Sequence, residues 1–358
     1  MNTRSEATVL VTGASGVLGG RLLPLLRGKR VIAVDLRPPA SPDIYAYEPV
    51  DLGREAATSR LVEIIRQAEV TDIVHLAFAR AHNPKETADQ TRLWQVNVAG
   101  AGRVMEAATE ATRRGNQIHR IVFRSSAQVY GPDVPAASPE TATFAARSLP
   151  AAIHAMESDH VAQYWAGSAA NRTSYVLRLA NIAGEGAWSC VLSALRGVPA
   201  GTGKNAPGGK RLPLAVPFGA AALRNQFQFV HVDDAARLIA HLLQAEPQRN
   251  AAPQDAGRPE ENRHLVIFNV AARDEPITLG ECAEIAGAKV IRLPRRLCRW
   301  TLERRWRQGI SEVPPEAAPY LYGSCLMDTQ ALRGFLGDDY PRIIQHTNRE
   351  ALVASFGQ

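Results

Sequence analysis

The first 180 residues alternate short apolar runs with segments whose apolar positions repeat at a helical period. This alternation predicts a parallel sheet covered by helices on both faces. The apolar runs are rich in β-branched residues and do not alternate strictly, as expected for strands buried on both faces. The predicted strands are residues 7–13, 30–35, 72–77, 120–127 and 174–180. The clearest helical patterns are Arg54–Ala68, Thr91–Arg113 and Ala151–Ser168.

The second half of the chain is less regular. Residues 197–226 are rich in Gly and Pro and too long for an ordinary connection, which favours a functional lid or a poorly ordered loop. Residues 245–262 are polar and predict a surface insertion. We therefore predict a doubly wound α/β domain over residues 1–182 and a smaller lobe over 183–358, with segments such as 226–245 returning to the first domain.

Composition and charge narrow the class of protein. Hydrophobic residues make up 46% and charged residues 21%, as in ordinary soluble proteins, and no apolar run reaches 18 residues. The amino terminus passes into a strand without a signal-peptide pattern, so we expect a cytoplasmic protein without a membrane partner. The net charge of +6 is concentrated in residues 292–309, where Leu297, Trp300, Leu302 and Trp306 lie among arginines. This pattern favours an amphipathic helix with a solvated basic face over a nucleic-acid site.

The four cysteines show neither a CxxC pair nor a histidine spacing typical of zinc sites. We expect reduced thiols and no metal.

A glycine-rich turn follows the first predicted strand. Gly13 permits a tight turn, Gly16 lets the backbone approach a pyrophosphate, and Gly19 allows close packing of helix and strand. The second strand ends in Asp35, whose carboxylate can accept hydrogen bonds from ribose hydroxyls and favours NAD over NADP. Arg37 can reach a 2′-phosphate, so the cofactor is expected to be NAD(H) or NADP(H).

Further motifs follow in order along the chain. They are TGASGVLG (12–19), Asp51-Leu52, HLAFA (75–79), NVAG (97–100), RSSAQVYG (124–131), RLAN (178–181), FVHVDD (229–234) and FNV (268–270). Together they resemble the extended short-chain dehydrogenases/reductases of the NAD-dependent epimerase/dehydratase superfamily. The resemblance implies a Rossmann doubly wound parallel sheet with a smaller C-terminal substrate-binding lobe. It implies cofactor contacts from Gly13, Ser15, Gly16, Val17, Leu18, Gly19, Asp35, Arg37, Asp51, Leu52, Leu76, Ala77, Phe78, Asn97, Ser125 and Asn181.

One part of the family pattern is missing. Members of this family use a Ser or Thr together with a Tyr-x-x-x-Lys pair, and Ser126 matches the serine. No tyrosine of this chain has a lysine four residues later, and no lysine lies between Lys85 and Lys204. Alignment on the following helix places Ala151 at the tyrosine position and Ala155 at the lysine position.

Two accounts of this loss compete. The protein either retains its cofactor pocket as a catalytically silent sensor or scaffold, or still transfers hydride and obtains its proton elsewhere. His154, Glu157 and His160 lie on or beside the altered helix and are candidate acids, with His154 the first choice. Alternatively, a phenolic hydroxyl of the substrate supplies the acid.

The chain is similar to atypical extended reductases of antibiotic pathways, such as angucyclinone ketoreductases of the simocyclinone type, which also lack the pair. This similarity implies an NAD(P)H-dependent ketoreductase acting on a bulky ketone or quinone, as a monomer or homodimer. A sugar-nucleotide epimerase or dehydratase is the further alternative. Epimerases begin by deprotonating a hydroxyl with the tyrosine, so the loss of that residue affects them most.

Overall fold

The computed structural model describes residues 7–81, 90–134, 136–166, 172–197, 211–219, 221–244 and 265–357. Seven strands form one parallel sheet at the centre of the described part. The six other strands form three two-stranded sheets. All strands of the described residues, in chain order, are β1 Thr8–Thr12, β2 Arg30–Asp35, β3 Ala46–Pro49, β4 Asp72–His75, β5 Arg120–Ser126, β6 Thr173–Leu179, β7 Asn181–Ala183, β8 Leu214–Pro217, β9 Gln226–Phe227, β10 Phe229–His231, β11 Leu265–Val270, β12 Ile277–Thr278 and β13 Val290–Leu293. The strand order of the seven-stranded sheet is β11-β6-β5-β4-β1-β2-β3.

Helices cover this sheet and build the rest of the described chain. They are α1 Val17–Leu22, α2 Ala57–Gln67, α3 Gln90–Trp94, α4 Gly100–Arg113, α5 Pro150–Ala166, α6 Cys190–Arg196, α7 Ala221–Arg224, α8 Val232–Leu242, α9 Leu279–Ile285, α10 Arg295–Arg307, α11 Ala318–Tyr322, α12 Gln330–Leu336, α13 Tyr340–Ile343 and α14 Asn348–Ala354. A π-helical turn, Gln95–Ala99, joins α3 to α4. Short 3₁₀ helices occur at Leu23–Leu26, Ala127–Tyr130, Pro315–Ala317 and Gly337–Asp339.

The strand order explains where a ligand can bind. From β1 the chain adds β2 and β3 on one side, and then crosses to add β4, β5 and β6 on the other. Parallel sheets of this kind bind ligands in the crevice at the carboxyl ends of the strands, where the order reverses. Here that crevice lies between the ends of β1 and β4.

The Rossmann-type α/β fold predicted from the sequence is confirmed. Each of the five predicted strands is found within two residues of its expected ends. The predicted helix Thr91–Arg113 is instead two helices joined by the π-helical turn. Sequence patterning did not predict the edge strands β3 and β11. The first is only four residues long, with no buried residue, and the second follows a long polar stretch, beyond the regular alternation of the first 180 residues.

Two apolar layers sandwich the sheet. Val9 and Val11 of β1 pack into the layer formed with α1 and α8, whereas Leu10 packs into the layer formed with α2 and α4. This division follows from strand geometry, because successive side chains point to opposite faces. The whole of β1 is therefore buried, and the turn that follows it starts from a fixed position.

The later part of the chain forms a second apolar cluster, with contributions from α6, α9, α10 and α11. The basic stretch 292–309 contains the expected helix, α10, but only Leu302 and Trp306 of its four predicted apolar residues are buried. Leu297 and Trp300 are 46% and 53% exposed, so the apolar stripe is narrower than predicted.

Two later segments, α8 and β11, pack back against the first half of the chain. The division at residue 182 stays a prediction. Residues 198–210 and 220 of the Gly/Pro-rich stretch 197–226, and all of the polar stretch 245–262, lie outside the described residues. In the part of the chain that the structure describes, no helix is long and apolar enough to cross a membrane.

All four cysteines are free thiols, as predicted, and three of them are buried.

A buried ion pair ties α5 to the sheet. Arg178 of β6 donates to Asp159 of α5 with its Nε at 3.0 Å, and neither side chain is more than 2% exposed. Asp159 also accepts hydrogen bonds from Ser125 Oγ at 2.5 Å and Gln163 Nε2 at 2.6 Å. This carboxylate therefore fixes both the end of β5 and the orientation of α5, the two elements that carry the candidate catalytic residues.

Candidate functional site

A cavity of about 540 Å³ opens at the carboxyl ends of β1, β2 and β4. We call it the glycine cavity, because the loop from Gly13 to Gly19 forms one wall. Most of the cofactor-contacting residues predicted from sequence line it together. They are Gly13, Ser15, Gly16, Val17, Leu18, Gly19, Asp35, Arg37, Asp51, Leu52, Leu76, Ala77 and Phe78.

The three glycines of the loop have different surroundings. Gly13 has a φ of +71°, and a Cβ there would lie 2.6 Å from the backbone nitrogen of Ala77. A Cβ on Gly19 would lie 2.5 Å from the carbonyl oxygen of Ala14. A Cβ on Gly16 would meet protein only at 3.2 Å, on the carbonyl oxygen of Gly13. Gly13 and Gly19 are thus needed by the fold itself, whereas Gly16 keeps the cavity wall bare.

Asp35 fastens this loop to the end of β2. Its Oδ2 accepts hydrogen bonds from the backbone N–H of Ser15 at 2.9 Å and from Ser15 Oγ at 2.8 Å. Its Oδ1 accepts one from the N–H of Leu36 at 2.7 Å. The carboxylate lines the glycine cavity, and the exposed side chain of Arg37 lies beside it at the cavity wall. A carboxylate and a guanidinium therefore border the same end of the cavity.

Asp51 is paired within the protein. Both of its carboxylate oxygens accept hydrogen bonds from Arg92 Nη2, at 2.6 and 2.7 Å, and Oδ1 accepts one from the N–H of Gly53 at 3.0 Å. Burial raises the pKa of Asp51, but these hydrogen bonds outweigh burial and hold it below its usual value. Asp51 therefore stays ionised at neutral pH.

Three predicted cofactor residues lie outside the glycine cavity. Asn97 is buried in the π-helical turn, where Oδ1 accepts from the N–H of Ala79 at 2.6 Å and Nδ2 donates to its carbonyl at 2.7 Å. Ser125 Oγ donates to Asp159 of α5 at 2.5 Å. Asn181 lines an adjoining cavity, and its Nδ2 donates to the carbonyl of Gln228 at 3.2 Å. These residues support the walls of the site.

The adjoining cavity has a volume of about 140 Å³ and shares part of its lining with the glycine cavity. We call it the apolar cavity, because carbon-rich side chains dominate its walls. The shared residues are Phe78, Ala79, Arg80, Arg124, Ile182 and Trp188. A ligand that extends from one cavity into the other would pass between these side chains.

Both predicted catalytic residues line the apolar cavity. Ser126 begins the 3₁₀ helix Ala127–Tyr130, and its Oγ accepts a hydrogen bond from the N–H of Gln128 at 3.2 Å. The Ser126 hydroxyl proton is therefore available to a ligand.

His154 is 7% exposed, and burial lowers the pKa of its ring, with Glu157 acting in the opposite direction. The ring is therefore neutral at pH 7. Asn97 Nδ2 lies 3.4 Å from His154 Nδ1. Asn97 Oδ1 accepts from the N–H of Ala79, so the side-chain amide nitrogen of Asn97 is the atom that faces the His154 ring. His154 Nδ1 therefore accepts this hydrogen bond, and the ring proton lies on Nε2. His154 Nε2–H can therefore donate a hydrogen bond to a ligand.

Ala151 and Ala155 border a third space of about 40 Å³ next to Ser126, which we call the alanine cavity. Tyr130 does not reach it. The Tyr130 hydroxyl is buried, donates to Asn269 Oδ1 and accepts from Arg178 Nη1, both at 2.7 Å. Burial raises the pKa of Tyr130 to about 12. Tyr130 is therefore a structural residue and no substitute for a catalytic tyrosine.

Sequence reasoning missed several lining residues with polar groups, among them Tyr320, Arg80 and Arg124. Tyr320 lines the apolar cavity, with its hydroxyl 3.4 Å from the carbonyl oxygen of Gln128, and burial raises its pKa to about 12. Arg80 and Arg124 line both larger cavities. The available signal for Arg124 was a charged residue directly after the apolar run Ile121–Phe123 of β5.

The comparisons with known proteins agree with this architecture. A model of the NAD dependent epimerase/dehydratase family matches residues 9–254. The chain is similar to MoeE5 in complex with UDP-glucose and NAD, with a TM-score of 0.65 and 20% identity over 98% of both chains. It is also similar to the UDP-glucose 4-epimerase of Thermus thermophilus in complex with NAD, with a TM-score of 0.65 and 18% identity over 98% of both chains.

A third similar structure is the UDP-glucuronic acid 4-epimerase from Bacillus cereus with UDP-glucuronic acid and NAD, with a TM-score of 0.64 and 14% identity over 98% of both chains. A search of curated protein sequences gives no match. At these identities the structural likeness establishes the fold.

Proposed function

Because the chain belongs to the NAD dependent epimerase/dehydratase family, we propose that it is an NAD(P)H-dependent oxidoreductase that reduces a ketone of a bulky, largely apolar substrate. The observation that carries the proposal is the pair Ala151 and Ala155, which border Ser126 where a catalytic tyrosine and lysine would be expected. A site built this way lacks the base that an epimerase needs to deprotonate a hydroxyl, whereas a reductase needs only to stabilise a developing alkoxide.

The described residues fit a nicotinamide dinucleotide in the glycine cavity. Gly16 leaves its wall open for a pyrophosphate, and the first N–H groups of α1 have no partners within the helix. Asp35 is placed to accept hydrogen bonds from ribose hydroxyls. The reduced cofactor, when bound, would supply hydride to a carbonyl carbon.

The apolar cavity would hold the ketone. Phe78, Trp188 and Phe227 provide apolar walls, and Ser126 is the hydroxyl that can donate to the carbonyl oxygen. His154, which lines this cavity, is the protein group that would return a proton to that oxygen. A phenol of the substrate beside the carbonyl is the competing source of this proton.

A second candidate is a sugar-nucleotide epimerase or dehydratase. The family and the similar structures, which are complexes of NAD with enzymes of UDP-sugars, favour this function more than they favour a ketoreductase. The alanines at 151 and 155 argue against it.

One experiment separates the two candidates. The purified protein is incubated with NADH or NADPH and a panel of aromatic ketones and quinones, and cofactor oxidation is followed by absorbance. In parallel, the protein is incubated with UDP-glucose or UDP-glucuronic acid and NAD, and the sugar is examined by proton NMR. We expect reduction of at least one ketone and no change at any sugar carbon. Sugar interconversion without ketone reduction would refute the proposal, and tight cofactor binding with neither reaction would favour the silent sensor.

Cofactor choice should depend on Asp35. Its carboxylate repels a 2′-phosphate, so the wild-type protein should prefer NADH, while the neighbouring Arg37 leaves NADPH usable. We expect Asp35→Ala to move the ratio of NADPH to NADH affinity upwards by about tenfold, which corresponds to roughly 1.4 kcal/mol. Calorimetric titration with both cofactors measures the ratio. Arg37→Ala is the matched variant and should move the ratio the other way; an unchanged ratio in Asp35→Ala would place the ribose elsewhere.

Ser126 should assist turnover. We expect Ser126→Ala to lower kcat by roughly 5- to 100-fold, because one hydrogen-bond donor to the developing alkoxide is lost. Ser158→Ala is the control, since Ser158 borders the same alanine cavity but its hydroxyl donates to the carbonyl of Ala155. Equal rates for the two variants would make Ser126 a structural residue.

The source of the proton is tested separately. If the substrate supplies its own acid, His154→Ala should retain at least roughly a tenth of the activity, because an essential general acid is usually worth about 10²-fold or more. Methylation of the substrate phenol should then stop reduction. If His154→Ala is inactive and the wild-type protein still reduces the methylated substrate, His154 is the acid.

A further inference from the structure

Arg124 and Ser126 lie two positions apart at the end of β5, and alternate residues of a strand project from the same face. Both side chains border the apolar cavity and the alanine cavity. The hydroxyl of Ser125, between them, donates to Asp159. The strand thus presents a guanidinium and a hydroxyl side by side to the space in which a ketone would bind.

The Arg124 guanidinium is held in place without being neutralised. Its Cζ lies 4.9 Å from the centroid of the Phe78 ring, which is within the range of a cation–π contact. Among the described residues, it has no hydrogen-bond or ion-pair partner. Burial, and to a lesser extent the charge of Arg80, lower the pKa of Arg124 to about 10, so the group remains a cation at neutral pH.

A second cation faces the same junction of cavities. Arg80 Cζ lies 4.2 Å from the centroid of the Trp188 ring, and its buried Nε has no hydrogen-bond partner in the part of the chain described. Burial lowers the pKa of Arg80, with Cys190 and Glu312 acting in the opposite direction, whereas no acidic group of the described residues acts on Arg124. Two like charges near each other in a partly buried space are unfavourable, so a further negative group beside Arg124 would stabilise the pair. The site is therefore suited to an oxygen that carries negative charge or acquires it during the reaction.

We propose that Arg124 is a catalytic residue that, together with the Ser126 hydroxyl, donates hydrogen bonds to the carbonyl oxygen of the substrate and stabilises the charge that this oxygen gains. The inference rests on the proposed reductase function and extends it. The substrate carbonyl carbon accepts hydride from the reduced nicotinamide dinucleotide, and the C=O π electron pair moves to oxygen. The resulting alkoxide takes a proton from the substrate phenol, His154 or solvent, giving an alcohol and the oxidised dinucleotide.

This role explains how the site can work without the tyrosine and lysine. Arg124 does not transfer its own proton, since an arginine retains it at neutral pH. It lowers the energy of the alkoxide directly, and removal of one such donor typically costs about 10²–10³-fold in kcat. The interaction is stronger with the alkoxide than with the neutral ketone, so its loss should change kcat more than KM.

Two variants and one probe test the assignment. Arg124→Gln removes the charge and keeps hydrogen-bonding capacity, and Arg124→Lys keeps the charge. We expect Arg124→Gln to lower kcat by about 10²-fold with a KM for the ketone within about threefold of wild type, and Arg124→Lys to recover at least part of the loss. Circular dichroism spectra and thermal unfolding midpoints should be similar for all three proteins and would show that the variants fold.

The probe is 4-nitrophenol, whose ionised form absorbs in the visible and imitates the charged oxygen without being reduced at a carbonyl. We expect the wild-type protein to bind the phenolate form and Arg124→Gln to bind it at least about tenfold more weakly, or about 1.4 kcal/mol. Arg80→Gln is the comparison. A loss of phenolate binding and kcat in Arg80→Gln but not in Arg124→Gln overturns the assignment, as do unchanged values in Arg124→Gln.

The two proposals can fail independently. Ketone reduction that persists at the wild-type rate in Arg124→Gln refutes the role of Arg124 and leaves the reductase function standing. A wild-type protein that reduces no ketone refutes both the function and the catalytic role, while phenolate binding that depends on Arg124 would still identify the binding site for an anionic oxygen.

Discussion

Gly16→Val should abolish the binding of NAD(H) and NADP(H) while the protein remains folded. A Cβ at Gly16 would lie 3.2 Å from the nearest protein atom, so the fold can absorb it with a small shift. The two γ-methyl groups of valine would instead project into the glycine cavity, where a pyrophosphate has to approach the loop backbone. We expect the affinity to fall by at least about 100-fold, which corresponds to roughly 2.7 kcal/mol.

The matched control for this variant is Gly20→Ala. Gly20 lies one turn further along α1, and a Cβ there would meet no atom within 4 Å. Calorimetric titration of both variants with NADH, together with their circular dichroism spectra, separates loss of the cofactor site from loss of the fold. Wild-type affinity in Gly16→Val would refute the assignment of the glycine cavity to the dinucleotide.

Asp159→Asn should destabilise the protein more than any surface substitution. Arg178 is almost completely buried, and in the variant its charge would lose the carboxylate to which it donates. Breaking one partner of a buried ion pair typically costs about 3–5 kcal/mol in the free energy of unfolding. Ser125 and Gln163 would also lose an ionised acceptor, so the end of β5 and helix α5 should loosen together.

Unfolding in urea, followed by circular dichroism and tryptophan fluorescence, measures this effect. Asp43→Asn is the control, because Asp43 forms an ion pair with Arg27 at the surface, where Arg27 is 75% exposed. Surface ion pairs contribute little, so the unfolding midpoint of this variant should stay close to that of the wild type. Equal midpoints for Asp159→Asn and Asp43→Asn would show that the buried pair does not hold α5 in place.

The glycine loop and Asp35 were predictable because each depends on short-range pattern. A strand, a turn with glycines at fixed spacing and a second strand ending in an acid can be identified without knowledge of distant contacts. All of these residues line the glycine cavity. The strands were predictable for the same reason, since β-branched apolar runs specify them locally.

Residues whose role depends on distant partners were harder to assign. Asn97 was expected to contact the cofactor, but its side-chain amide forms hydrogen bonds with the backbone of Ala79, eighteen positions away along the chain. Similarly, the hydroxyl of Ser125 donates a hydrogen bond to Asp159 of α5. Arg124 was not predicted because sequence alone does not show whether an arginine inside a strand motif is paired. Only the packed structure shows that it borders all three cavities.

The π-helical turn Gln95–Ala99 has a consequence for changes in chain length. Such a turn accommodates one residue more than an α-helical turn, so α3 and α4 could be joined as one regular helix by a chain shorter by one residue. A single deletion at Val96 should therefore be tolerated by the helix, yet it would move Asn97 by about 100° around the axis relative to α3 or α4. The two hydrogen bonds between Asn97 and the backbone of Ala79, and the contact of Asn97 with His154, would then be lost. Homologues that differ by one residue in this segment are accordingly expected to hold the corresponding strand end by other means.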